Sequence, residues 1–392
     1  MAIEKYDESY EVFYGDKNDF MSELKDRCKE TVLYKVKPDS VEFYSAQADG
    51  DKMVFKRLVG EKTVSREIQI EPCNENVWRS PETQSVGLFI SFITDDDGKQ
   101  HYLPISPHCK LSLSNRSKLT FTGELTIPVN KLALARMYED LIKKEIKKEQ
   151  LQIISVYGKA HAVLSNVYSP IGHDEFFELI DDKLTERFSQ SIDFRRGYVS
   201  HKWSRGIWYV GEFTDPSGKT NQIIQLGLSA MDGQTGHCGA ALQPCVFYGR
   251  KGVPMLFDDE WYSKHMALSE EGISEALDVV YLKLQDNAQK LIDTIGIDIN
   301  NPANFAQKLC IELNKLAKKT STVPLSAKAI KDIVTSVEGL SIVRNNLTVW
   351  DVIEVLWDSP EKFGASTAHK DSLTKTVSRV LAIDNYKALD VA

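Results

Sequence analysis

Fifteen consecutive residues hold the clearest chemistry in this chain: Arg195-Arg196-Gly197-Tyr198-Val199-Ser200-His201-Lys202-Trp203-Ser204-Arg205-Gly206-Ile207-Trp208-Tyr209. Four formal positive charges and four aromatic rings fall there, in a protein whose net charge is −8. Cationic side chains neutralise phosphates, and exposed rings stack on unpaired bases, each stack worth about 1–3 kcal/mol. The residue types point to a surface for single-stranded nucleic acid made by Arg195, Arg196, His201, Lys202, Trp203 and Arg205. The competing reading is structural. Trp208 falls in a strand pattern and fills a core, while Arg195 and Arg196 pair with local acids.

A second candidate is the loop at 232–239. Gly233, Gly236 and Gly239 recur every three residues, which lets a backbone approach a ligand closely or simply spans a wide gap between strands. Asp232, Gly233, Gln234, Thr235 and His237 are its candidate residues, with His237 as acid or base. Other chemistries fit less well. His237, Cys238 and Cys245, with His101, His108 and Cys109, match no zinc spacing. Asp95-Asp96-Asp97-Gly98 lacks the alternating ligands and later glutamate of a calcium loop and reads as a hairpin tip. No phosphate-binding glycine loop and no Gly-x-Ser-x-Gly elbow is present. Asp181-Asp182 and Asp258-Asp259 are adjacent, so their side chains diverge. The sequence therefore assigns no catalytic residue, no metal and no cofactor.

These residues need a scaffold, and 392 residues can bury one, with a length prior of two or three domains. Hydrophobic content of 42% and charged content of 27% are those of an ordinary globular protein. The longest apolar runs, such as 86–93, fall short of the ~20 residues a membrane helix needs. The N-terminus has no apolar signal core. Six scattered cysteines read as reduced thiols in a cytoplasm.

The expected class is α+β in three parts: a β-rich domain over 1–128, a central mixed domain over 129–265, and a helical domain over 266–392. Segments 41–44 and 53–55, and again 86–94 and 102–105, read as hairpins. Leu111, Leu113, Leu119, Phe121, Leu125 and Ile127 continue the strand alternation. A helix follows over 129–150, with a solvated face of Lys143, Lys144, Lys147 and Lys148. Segment 160–166 is a strand. A helix over 174–188 buries Phe177, Ile180, Leu184 and Phe188. Segments 206–213 and 222–229 form a hairpin around Asp215-Pro216-Ser217-Gly218, and 245–248 is a further strand. Helices then follow over 269–295, 303–318 and 326–337, from a capping box at Thr348 and Asp351, and over 371–383. The helix after Thr348 is apolar and acidic, which suits packing and not a DNA groove.

Several of these segments resemble a known pattern. Lys159-Ala160-His161-Ala162-Val163-Leu164-Ser165-Asn166-Val167-Tyr168 is followed by His173-Asp174-Glu175-Phe176-Phe177. Asp232-Gly233-Gln234-Thr235 then precedes Leu242-Gln243-Pro244-Cys245-Val246. Together they resemble the phage- and plasmid-encoded family called domain of unknown function 932. The resemblance covers about 130–256, with a loose fit of the helices near 348–383, and does not reach the first 128 residues. His161 stands where the family carries arginine, Asn166-Val167 where it carries Asp-Arg, and the family's Cys-x-Asn after the last strand is missing. Roles of those charged positions therefore do not transfer. The resemblance implies an accessory protein of a mobile element, encoded beside replication, recombination or anti-defence genes, and implies no mechanism.

The leading expectation is thus a non-catalytic phage- or plasmid-type protein that binds single-stranded nucleic acid in a host bacterial cytoplasm. One alternative is a protein-binding inhibitor of a host defence or replication factor. Another is an enzyme with its site in the 232–239 loop. No membrane partner is expected, and the oligomeric state is left open.

Overall fold

The computed structural model describes residues 10–94, 98–116, 130–145, 150–166, 168, 171–188, 192–218, 220–233, 239–247, 254–257, 260–264 and 269–390. The chain begins with β1 (Glu11–Tyr14), α1 (Lys17–Lys29), β2 (Thr31–Val36), β3 (Glu42–Asp49), β4 (Lys52–Val59) and β5 (Lys62–Gln69). It continues through α2 (Pro72–Trp78), α3 (Pro81–Val86), β6 (Leu88–Ile93), β7 (Gln100–Pro104), α4 (Pro107–Arg116) and α5 (Lys131–Glu145). The middle holds β8 (Leu151–Val156), β9 (Lys159–Ser165), α6 (His173–Phe188), β10 (Asp193–Ser200), β11 (Ser204–Thr214), β12 (Ile223–Asp232) and β13 (Ala240–Phe247), then the short β14 (Met255–Leu256) and β15 (Trp261–Ser263). The last part holds α7 (Glu270–Asp293), β16 (Asp298–Ile299), α8 (Pro302–Lys319), α9 (Ala327–Val343), β17 (Leu347–Thr348), α10 (Val349–Trp357), α11 (Ser359–Phe363) and α12 (Thr367–Ser378).

The class is α+β, and the strands within each sheet pair antiparallel. One sheet runs β5-β4-β3-β6-β7 and a second β2-β8-β9. The largest runs β1-β10-β11-β12-β13-β14, with β15 also on β13. The β8–β9 hairpin turns on Tyr157 and Gly158, both at positive φ (48° and 75°), which matches the twist of the flanking strands. Every residue of β8 is buried, as its apolar run requires of a strand covered on both faces.

Two large apolar clusters hold the molecule together, and they cut across the boundaries that composition suggests at 128 and 265. The larger joins Phe20 and Leu24 of α1 to α6, the largest sheet, and the helices from α7 onward. The other joins Phe43, Ile90 and Phe92 to Tyr138, Ile153 and Val163. The first element pair therefore packs with the chain's second half.

The hairpins and most helices expected from periodicity are present. Thr348 and Asp351 make the capping box of α10, whose Trp350, Val352, Ile353, Leu356 and Trp357 are buried. One expectation is overturned. Leu111 and Leu113 lie in α4 and not in a strand, and only Leu113 is buried. The Ser106 hydroxyl accepts from the Cys109 amide (3.1 Å) and Pro107 follows it, so a helix starts where alternation alone suggested a strand. Leu119, Phe121, Leu125 and Ile127 lie outside the described residues. So does the 95–97 tip, although β6 and β7 pair on either side of it. Among the described residues no helix is long and apolar enough to cross a membrane, and Cys28, Cys73, Cys109, Cys245 and Cys310 are not joined in disulfides.

Candidate nucleic-acid interface

The cation-rich segment is the β10–β11 hairpin. Its turn is fixed by Ser200, whose hydroxyl donates to the Trp203 carbonyl (2.8 Å) and accepts from the Trp203 amide (3.2 Å). Upstream, the β10–β11 register slips between Phe194 and Arg196, so Arg195 is an extra, bulged residue. A bulge re-aims side chains. Here it brings Arg195 and Arg196 to the same side of the sheet, while Phe194 packs inward on Trp208 (ring centroids 5.6 Å apart).

That side faces a cleft of about 490 Å³ between β1, β10 and β11 on one wall and α11 and α12 on the other. The sheet wall is a ladder of rings. Phe13 of β1 lies opposite Tyr198 in the register, with centroids 5.1 Å apart, and Tyr198 lies 4.3 Å from Trp203. The Arg205 guanidinium sits 4.9 Å from the Trp203 ring. Phe13 is 56% exposed, which makes it the open ring of this ladder. Among the described residues, four cations line the cleft (Arg195, Arg196, Arg205 and Lys370) against two carboxylates (Glu361 and Asp371).

Their pairing is uneven. Arg205 binds Asp371 at 2.6 Å, with the two side chains 8% and 21% exposed. Lys370 binds Glu361 at 2.6 Å. Arg195 makes a longer, exposed pair with Asp193 (3.3 Å) and covers the Tyr209 ring (5.2 Å). Arg196 is half-buried and has no carboxylate within ion-pair distance among the described residues.

The other candidates from this segment go elsewhere. Lys202 is exposed at the turn and does not line the cleft. His201 is buried, which removes it from any surface for nucleic acid. Trp208 is 1% exposed, donates its indole N–H to Asp181 (2.9 Å) and fills the core, as the structural reading has it.

His201 instead joins a buried polar cluster where the largest sheet meets β8 and β9. Arg27, at the end of α1, donates to the Ser200 carbonyl and lies 3.4 Å from His201 Nδ1. The His201 ring is 5.6 Å from His161, 5.3 Å from Tyr10 and 6.0 Å from Tyr157. Burial pushes the His161 pKa well below its ordinary value, helped by the neighbouring positive groups His201, Arg27, His108 and Lys159. Burial also lowers the pKa of Arg27. Nearby, His173 Nδ1 and Asp232 Oδ2 are 2.7 Å apart, both fully buried, which ties α6 to the end of β12. The Tyr168 hydroxyl donates to the Gly233 carbonyl (3.4 Å). Tyr168 and His173 thus both reach the end of β12.

Of the loop candidates, Asp232 and Gly233 are buried, and Gln234, Thr235 and His237 lie outside the described residues. Among the described residues, no group of three or more His, Cys, Asp or Glu side chains is arranged to hold a metal ion. Sequence reasoning missed Phe13, Lys370 and Asp371 in the cleft and Arg27 in the buried cluster; among these, only the helix expected over 371–383 touched one of them, Asp371. No protein-family model matches the chain, and no curated protein or solved structure is detectably similar to it.

Proposed function

We propose that this chain is a non-catalytic accessory protein of a phage- or plasmid-type element and that it binds single-stranded nucleic acid in the β1–β10–β11 cleft. The observation that carries this reading is the pairing of an exposed ring, Phe13, with Arg196, a guanidinium that has no carboxylate partner among the described residues, in one cleft of ligand size. A ring accepts any base by stacking, and a guanidinium accepts phosphate oxygens. The cleft wall carries a cationic excess inside a molecule of net charge −8, so the attraction is local. The resemblance of about 130–256 to domain of unknown function 932 supports the mobile-element setting.

The test is fluorescence anisotropy with a labelled single-stranded oligonucleotide. Phe13 is exposed and Arg196 has no ion pair among the described residues, so Phe13→Ala with Arg196→Ala leaves the fold intact. The double variant is expected to bind at least about tenfold more weakly, since a charge-assisted contact alone is worth about 1.5–3 kcal/mol. Unchanged affinity in the double variant refutes the cleft as the binding surface.

A further inference from the structure

Resting on that reading of the cleft, we infer that it accepts a single nucleotide unit, one base with one phosphate, and not a run of backbone. Three observations converge on this stoichiometry. The first is charge. Arg205 and Lys370 are each held by a carboxylate at 2.6 Å, and the Arg205–Asp371 pair is largely shielded from water. Arg195 has its own exposed partner. Among the described residues that leaves one guanidinium, Arg196, for a phosphate. The second is the ring wall. Tyr198 is 4% exposed, and the 4.3 Å approach of Trp203 to it leaves no slot between the two for a base. The open ring of the ladder is Phe13, at 56%. The third is size. A volume of about 490 Å³ is that of a small-molecule pocket, and α11 and α12 close its far side.

The shared chemistry has two sources, a free nucleotide or the phosphorylated end of a strand. Deoxyadenosine 5′-monophosphate serves as the probe for the first. Oligonucleotides of about twelve residues, with and without a 5′-phosphate, serve for the second. Binding of the labelled oligonucleotide to the full chain is measured between about 50 and 500 mM salt, and each unlabelled compound is then used as competitor. One phosphate contact predicts a slope of log K against log salt near −0.7. The monophosphate is expected to displace the oligonucleotide, and deoxyadenosine, lacking the phosphate, to do so at least tenfold less well. Better competition by the 5′-phosphorylated strand than by its unphosphorylated twin assigns the site to strand ends, and equal competition assigns it to the free nucleotide. Asp371→Asn removes the partner of Arg205 and is expected to steepen the slope by about 0.7. Tight oligonucleotide binding with a slope steeper than about −3 and no displacement by the monophosphate overturns the single-unit site and leaves the nucleic-acid reading standing. Absence of binding by strand and monophosphate alike overturns both.

Discussion

Acid should weaken this fold through His161, and the size of the effect can be worked out. The ring is fully buried among His201 from the turn after β10, Arg27 from α1, His108 from α4 and Lys159 of its own strand. Burial comes first, and the positive neighbours add to it, so the folded pKa lies well below the ordinary 6.5. In the unfolded chain the same imidazole protonates near that ordinary value. The unfolded state therefore binds one more proton as pH drops below 6.5. Stability from this group is fully present above that pH and is lost on acidification until the folded pKa is reached. The slope is about 1.4 kcal/mol per pH unit for one proton. Between pH ~7.5 and ~5.0 it sums to at most about 2 kcal/mol. Urea unfolding across that range, with a constant m-value, measures the loss in the native chain. His161→Gln has no imidazole to titrate, so its curve should be flatter, by up to that amount. Parallel curves for the two proteins refute a neutral, water-shielded His161.

Two further outcomes probe the scaffold under the cleft and the helical layer behind it. A Cβ added at Gly197 comes 2.3 Å from the ring of Phe20, which is fully buried and has no room to yield, so Gly197→Ala should lose about 1–3 kcal/mol by thermal or urea unfolding. Asp351 accepts from the Thr348 amide (2.8 Å) and hydroxyl (2.9 Å) and also holds Arg344, so Asp351→Ala should lose about 1–2 kcal/mol with an unchanged m-value.

Local signals were legible in this sequence wherever the physics that fixes the element is local. The capping box at Thr348 lies within one turn of helix. At Asp215-Pro216-Ser217-Gly218 the aspartate carboxylate accepts from the Ser217 amide (2.8 Å) and Gly218 takes φ +66°, all within four residues. Pairing across the chain leaves no such mark. β1 finds β10, with Glu11 opposite Ser200, and β2 finds β8, with Thr31 opposite Val156. β1 is four residues long, too short to establish a period, yet it supplies the exposed ring of the cleft. The same limit explains why the polar cluster was illegible: Arg27, His161, His173 and Asp232 come from four separate elements, and only tertiary packing places them together.

The cationic island shows how far a charge count carries. Composition assigns four positive charges to fifteen residues, but a strand sends neighbours to opposite faces, a turn sends others inward, and a bulge reverses one of them. His201 leaves for the interior, Lys202 for the turn, and Trp208 for the core. The background that looked uniformly acidic is not uniform either. Asp371 reaches Arg205 across 166 positions and neutralises it at 2.6 Å. The charge available in the cleft is thus set by where α12 docks as much as by the hairpin itself. A segment that reads as a broad polyanion surface becomes a pocket whose described residues leave one guanidinium without a carboxylate partner, beside one open ring. If the cleft takes phosphates as proposed, any shift of α12 that parts Asp371 from Arg205 changes how many it can hold, so that contact would set its capacity.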